Sequence, residues 1–105
     1  MKNLSKISDK NIENIIKNNR YVLIVFTSLT CGQCQLAKNN LLEVVDNFYD
    51  LSVYECMVTK NPKIREEYKI STVPTFKLFK DGEAVYTSFG IREQSDLYYQ
   101  LNSFL

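Results

Sequence analysis

Six consecutive apolar residues, Tyr21-Val22-Leu23-Ile24-Val25-Phe26, constrain this chain more than any other feature. The run is β-branched and aromatic, and it does not alternate. A strand with one wet face would alternate, so a continuous run asks for cover on both faces. It is also far too short to span a bilayer. The run therefore predicts a central strand, flanked by helices on both sides of its sheet.

The surrounding segments supply those helices. Ser8 can cap a helix whose apolar positions Ile12, Ile15 and Ile16 follow the 3.6-residue period, and Asn18-Asn19 closes it. Leu4 to Ile7 reads as a short strand before it. From Cys34 to Phe48, Leu36, Ala37, Leu41, Val44, Val45 and Phe48 fit one broad helical face without Gly or Pro, predicting the longest helix. Leu51 to Val58 reads as a strand. Asn61-Pro62 then offers an N-cap and a first-turn proline to a short helix carrying Ile64 and Tyr68. Thr75 to Lys80 and Glu83 to Phe89 flank Asp81-Gly82, a two-residue hairpin signal that needs φ > 0 at both positions. Beyond Gly90, Leu97, Leu101, Phe104 and Leu105 mark a closing amphipathic helix from Arg92 or Glu93.

The order is β-α-β-α-β-α-β-β-α in one domain spanning residues 1–105. Right-handed crossovers make the first three strands parallel, and the hairpin adds an antiparallel pair. The expected class is α/β, a mixed sheet of four to five strands with helices on both faces. The seven tyrosines and six phenylalanines fall mainly on strands and helices, where they are expected to build the core.

Composition removes several function classes. Thirteen basic against twelve acidic residues leave a net charge of +1, which gives no field to attract nucleic acid or an anionic membrane. The clusters Lys60-Lys63-Arg65 and Lys77-Lys80 read as solvated faces. The absence of histidine excludes a Ser-His-Asp triad, a Cys-His pair and any His-ligated metal. Met1-Lys2-Asn3-Leu4-Ser5-Lys6 carries no signal-peptide run, and three cysteines, an odd count, do not suggest a disulfide framework. The cytosol is the expected compartment, where a disulfide is transient and functional.

The chemistry concentrates at Cys31-Gly32-Gln33-Cys34, just after the buried strand and at the start of the longest helix. A helix N-terminus carries unpaired N–H groups and roughly half a positive charge, which favour a thiolate over a thiol. Cys31 is therefore expected to have a lowered pKa, and Cys34 to resolve a mixed disulfide formed on it. Gly32 is expected to let the backbone turn tightly. The pair is also half a zinc site, with Cys56 as a third soft ligand and a fourth needed from another chain, or two inert buried cysteines. The strand-turn-helix setting favours the redox reading. Cys56, beside Val53, Met57 and Val58, reads as a small buried hydrophobe.

Residues 25 to 34, Val-Phe-Thr-Ser-Leu-Thr-Cys-Gly-Gln-Cys, together with Thr72-Val73-Pro74-Thr75-Phe76, Phe79-Lys80-Asp81-Gly82-Glu83 and Gly90, resemble the thioredoxin family in order and spacing over nearly the whole chain. The resemblance implies the thioredoxin fold and a thiol–disulfide oxidoreductase. It implies a cis Pro74 facing the cysteines, Val73 offering backbone hydrogen bonds to an extended substrate, and Gly90 lining the groove. From the residues alone, Pro74 could equally be a trans proline at a strand start and Gly90 a simple strand-ending glycine.

Four positions depart from the family pattern. Thr30 stands where a tryptophan usually precedes the first cysteine, and Gln33 where a proline usually separates the pair. Val25, six residues before Cys31, replaces the aspartate that often relays the proton of the second cysteine. Glu55 stands on the neighbouring strand where the family often has a lysine, which makes it the candidate substitute base. The alternative is a Glu55 that faces solvent or pairs with a lysine.

The resulting expectation is a monomeric disulfide reductase without a bound cofactor. Its substrates would be disulfide-containing proteins, and its electrons would come from a thioredoxin-reductase-type donor. A thiol transferase serving a dedicated client, or a non-catalytic binding module on the same scaffold, are the alternatives.

Overall fold

A computed structural model describes residues 4–105. Met1 to Asn3, part of the leading segment read as free of a signal-peptide run, lie outside the described residues. The elements are β1 (Ser5–Lys6), α1 (Ile12–Asn18), β2 (Tyr21–Thr27), α2 (Cys34–Val45), β3 (Leu51–Met57), a 3-10 turn (Val58–Lys60), α3 (Pro62–Glu67), β4 (Thr75–Lys80), β5 (Glu83–Phe89) and α4 (Gln94–Phe104).

All seven residues of β2 are buried, as the unbroken apolar run requires. It lies at the centre of a five-stranded sheet ordered β1-β3-β2-β4-β5. β1 and β2 pair parallel to β3, β4 pairs antiparallel to β2, and β5 pairs antiparallel to β4. Asp81 and Gly82 both take positive φ, 51° and 88°, as the two-residue hairpin demands.

The two faces of β2 feed two cores. Val22, Ile24 and Phe26 pack with Ile12 and Ile16 of α1 and Ile64 of α3. Leu23 and Val25 pack with Ala37, Leu41 and Val44 of α2 and with Leu97 and Leu101 of α4. A strand sandwiched this way needs apolar side chains at every position, because no face is left for water.

Several boundaries and faces differ from the sequence expectation. α1 starts at Ile12, one turn later than a Ser8 cap would place it. Ser8 nevertheless caps the turn that leads into the helix: its Oγ accepts from Lys10 N–H at 3.3 Å, its carbonyl accepts from Asn11 and Ile12 N–H, and its own N–H donates to Asn11 Oδ1 (2.8 Å). α2 ends at Val45, and Asn47 and Phe48 close it as turns. Leu36 is 51% exposed and does not belong to the buried face. That face is centred on Cys34, Ala37, Leu41 and Val44, and Leu36 lies 100° of helix rotation from its neighbour Ala37. The aromatic residues divide as well: Phe26, Phe76 and Phe79 are core, whereas Tyr49, Tyr98, Tyr99 and Phe89 are exposed.

Cys56 is fully buried in the α1/α3 core. Burial foremost, then the charges of Asp9 and Glu55, push its thiol from 9.0 up to about 11. An uncharged, inaccessible thiol of this kind is inert, which supports the packing role over metal ligation.

Two outcomes test this packing. Leu41→Ala is expected to lower unfolding free energy by about 2–5 kcal/mol, seen as an earlier denaturant midpoint at unchanged slope; a loss below about 1 kcal/mol would mean that the α2 layer is not close-packed. The Cys56 contribution is fully present below the unfolded thiol value and is lost as pH climbs toward the folded one, because the unfolded state gives up its proton first. Wild type should therefore lose roughly 2–3 kcal/mol more than Cys56→Ala over that alkaline window. A parallel decline in both proteins would remove the thiol as the cause.

Candidate active site

The carboxyl end of β2 delivers the chain through Ser28, Leu29 and Thr30 directly to Cys31, and α2 begins three residues later at Cys34. The backbone N–H of Leu29 donates to Thr59 Oγ1 at 3.1 Å, which ties this connection to the 3-10 turn after β3. Cys31 and Cys34 are joined by a disulfide, with their Cα atoms 5.4 Å apart. That spacing lies within the range a disulfide requires without backbone movement. Cys31 is half-buried, whereas Cys34 is only 4% exposed. The two sulfurs are therefore unequal in access, with the first facing solvent and the second set into the core.

The first turn of α2 holds no acidic residue, so nothing in it neutralises the positive helix end. Gln33 occupies the N-cap position without a side-chain cap bond, and Cys34 N–H donates to Cys31 C=O at 3.4 Å. Gly32 does not have the conformation expected of a forced glycine. Its φ is not positive, and an added Cβ would meet nothing within 4 Å. The turn would accept a side chain here. What glycine provides is a bare, exposed backbone beside the sulfur, next to the equally exposed Thr30 and Gln33.

Pro74 enters at the same end of the sheet. Thr75 pairs with Phe26, the penultimate residue of β2, so the residue before it sits beside the strand end that leads to Cys31. The Val73–Pro74 peptide is cis. Thr75 Oγ1 donates to Thr72 C=O at 2.7 Å and closes the turn around the proline. Gly90 N–H donates to Pro74 C=O at 2.8 Å, and Gly90 has φ +80°, a conformation that L side chains rarely adopt. The glycine at the strand end and the proline loop thus form one unit. Val73 makes no hydrogen bond among the described residues, leaving its peptide groups available. On the other side, Asn40 Nδ2 of α2 donates to Arg92 C=O at 2.9 Å, and Arg92 Nε donates to Ser88 Oγ at 2.6 Å, so the segment after Gly90 is fixed to the active-site helix.

On the α2 side of the sheet lies a buried charge. Glu55 is paired in register with Val25 and points with it toward the α2 face of the sheet. It is 4% exposed, accepts from Thr27 Oγ1 at 2.7 Å, and meets Lys38 Nζ at 3.2 and 3.3 Å through its two carboxylate oxygens. The carboxylate is therefore buried and lysine-paired at once. The sequence reading considered those properties separately and missed Lys38 and Thr27 as its partners. The available signal was spacing: Lys38 follows Cys34 by four residues, one helical turn, and a glutamate in a covered strand needs a cation nearby.

Comparison with known proteins agrees with this geometry. The thioredoxin family model matches residues 3–103. Thioredoxin of Pyropia yezoensis is 31% identical over 104 residues, covering 97% of each chain. The mitochondrial thioredoxin-3 of Saccharomyces cerevisiae is 32% identical over 72 residues, 69% of this chain and 57% of that protein. Thioredoxin-2 of Pyricularia oryzae is 32% identical over 83 residues, 79% of this chain and 47% of that protein, so the chain spans about half the length of these last two relatives. The crystal structure of the oxidised yeast thioredoxin 3 superposes with a TM-score of 0.86 at 26% identity, covering 95% of this chain and 94% of that one. With nearly its full length matched and its bridged cysteine pair at the head of α2, this chain belongs to the thioredoxin family.

Proposed function

We propose that the chain is a thiol–disulfide oxidoreductase that reduces protein disulfides, with Cys31 as nucleophile and Cys34 as resolving thiol. The observation that carries this reading is the pairing of a half-exposed and a buried sulfur in one bridge at a helix start that holds no acid. In the reduced protein the helix end favours the Cys31 thiolate. That thiolate attacks one sulfur of a client disulfide, forming the Cys31–client bond and releasing the first client thiolate. Cys34 then attacks Cys31, forming the intramolecular bridge and releasing the second. The client gains two electrons, the dithiol loses two, and an outside reductant restores it.

Thr30, Gly32, Val73, Pro74 and Gly90 form the client-binding rim. Val73 is suited to strand-like backbone pairing with an extended segment around the client cysteine. The exposed Thr30 offers little apolar area, which favours a narrower set of clients than a large aromatic ring would support. A thioredoxin-reductase-type flavoenzyme is the proposed electron donor. One copy supplies both cysteines, the cis-proline turn and Gly90, so a monomer suffices for the chemistry. The thiol count favours a reducing compartment, with the cytosol as the proposed location. Glu55 is the proposed proton acceptor for Cys34, standing on the strand beside the position where an acid is missing at Val25.

Reduction of an insulin-type disulfide, with dithiothreitol as electron source, tests the reading. Wild type should act well above background and Cys31→Ser should fall to the uncatalysed rate. Cys34→Ser should accumulate a covalent adduct with a client through Cys31. A native, fully reduced wild type with no rate above background would instead establish a binding module.

A further inference from the structure

The loops that frame the cysteine pair carry no charge: residues 28–33, 71–74 and 89–91 are all neutral. Positive charge gathers to one side of them instead. A cleft of about 340 Å³ lies between the end of β1 and the end of β3, and Lys6, Lys10 and Lys60 line it together with Ile7 and Met57. Met57 is the register partner of Thr27, the last residue of β2, so the cleft borders the strand end that leads to Cys31. Leu29 N–H is bonded to Thr59 Oγ1, next in the chain to Lys60, and Cys31 follows Leu29 by two residues. Chain geometry then places the backbone of Lys60 within about 18 Å of the nucleophile.

The walls of this cleft are fixed. Asn61 is buried, accepts from Asp9 N–H at 3.1 Å and donates to Met57 C=O at 2.9 Å, so one side chain clamps the loop after β1 to the end of β3. Ser8 Oγ accepts from Lys10 N–H at 3.3 Å, and Ile7 N–H donates to Glu55 C=O at 2.9 Å. Among the described residues, none of the three ammonium groups has a hydrogen-bond or ion-pair partner. Asp9 lines the same cleft and offsets one of the three charges, which leaves positive charge in excess. A cleft of one sign between apolar walls focuses its field and concentrates counter-charge. The overall net charge of +1 conceals this local excess.

We propose that the cleft is a subsite for acidic client segments: it takes Asp or Glu side chains lying within about five residues, on one side, of the client cysteine engaged by Cys31, the span an extended chain covers over that distance. This rests on the dithiol mechanism above and names the class of client that it serves. The exchange at the sulfurs is unchanged, and the cleft contributes steering and register. Its place beside the client-binding rim makes the client chain itself the anion that reaches it.

Three symmetric peptide disulfides test this with the Cys34→Ser protein, in which each attack by Cys31 leaves one peptide on the protein and releases the other as a thiol. The peptides differ only in a run of three glutamates placed before the cysteine, the same run placed after it, or glutamines at all of those positions. Quenched mass spectrometry reads the rate of adduct formation. At low ionic strength one of the two acid-flanked peptides should react about tenfold faster than the glutamine peptide, the lower end of what steering produces. That advantage should fall below about twofold in ~0.5 M salt, where the screening length is only about 4 Å. Lys10→Gln/Lys60→Gln should remove most of it, and Lys10→Glu/Lys60→Glu should invert it. Rates are compared between peptides within each variant, so any change at the sulfurs cancels. The salt series leaves the cleft unaltered and decides the matter even where a lysine variant does not fold. Equal rates on all three peptides, an equal gain from either flank, a gain insensitive to salt, or a gain that persists in Lys10→Glu/Lys60→Glu would overturn the proposal. Failure of the dithiol mechanism has a different signature, no adduct with any of the peptides.

Discussion

The pairing of β2 with β3 is the constraint on which the site depends. β2 is covered on both faces and hydrogen-bonded along both edges, so neither its register nor its direction can slip without moving apolar side chains into water. Its rigid carboxyl end places the Cys31 turn, and the antiparallel partner β4 brings Pro74 to the same end. The same register sets Glu55 beside Val25. A single buried strand therefore positions the Cys31 turn, the cis-proline turn and the buried carboxylate, although Cys31 and Pro74 lie more than forty residues apart in the chain.

Electrostatics then separates the two sulfurs. The outer one sits at a helix end that lacks acidic neighbours in its first turn, a setting that favours a negative charge over a neutral group. The inner one is enclosed by the core, where an unpaired anion is costly. This difference in access is what the proposed two-step exchange needs, because a client can reach the outer sulfur and not the enclosed one.

Much of this was legible in the residues themselves. The unbroken run at 21–26 marked the central strand, Asp81-Gly82 marked the hairpin, and the cysteine spacing after that strand marked the site. Capping and facing were less legible. Ser8 does cap, its Oγ accepting from Lys10 N–H, but the turn it caps precedes the regular helix, which begins only at Ile12. Leu36 looked like part of the buried stripe, but the angular width of that stripe is decided by what the sheet covers. Gly32 looked obligatory for the turn, and its ordinary φ shows that a glycine in a tight motif is not always there for backbone freedom. The Lys38 contact was hidden for a different reason: it joins a helix to a strand seventeen residues away, and only the packed layers reveal that the two charges meet.

The exchange of charge between neighbouring strands follows from this packing. At position 25 an acid would lie on the strand that is hydrogen-bonded along both edges and packed on both faces, within the core cluster that holds Leu41 and Phe76. At position 55 the carboxylate faces the same helix from one strand closer to the sheet edge, beside the two-residue β1, where an open cleft and a lysine from α2 can reach it. An acid on β3 therefore faces α2 while having a counter-charge and an open cleft within reach. Val25 can then serve purely as core, and β2 keeps the unbroken apolar character that holds the site in place.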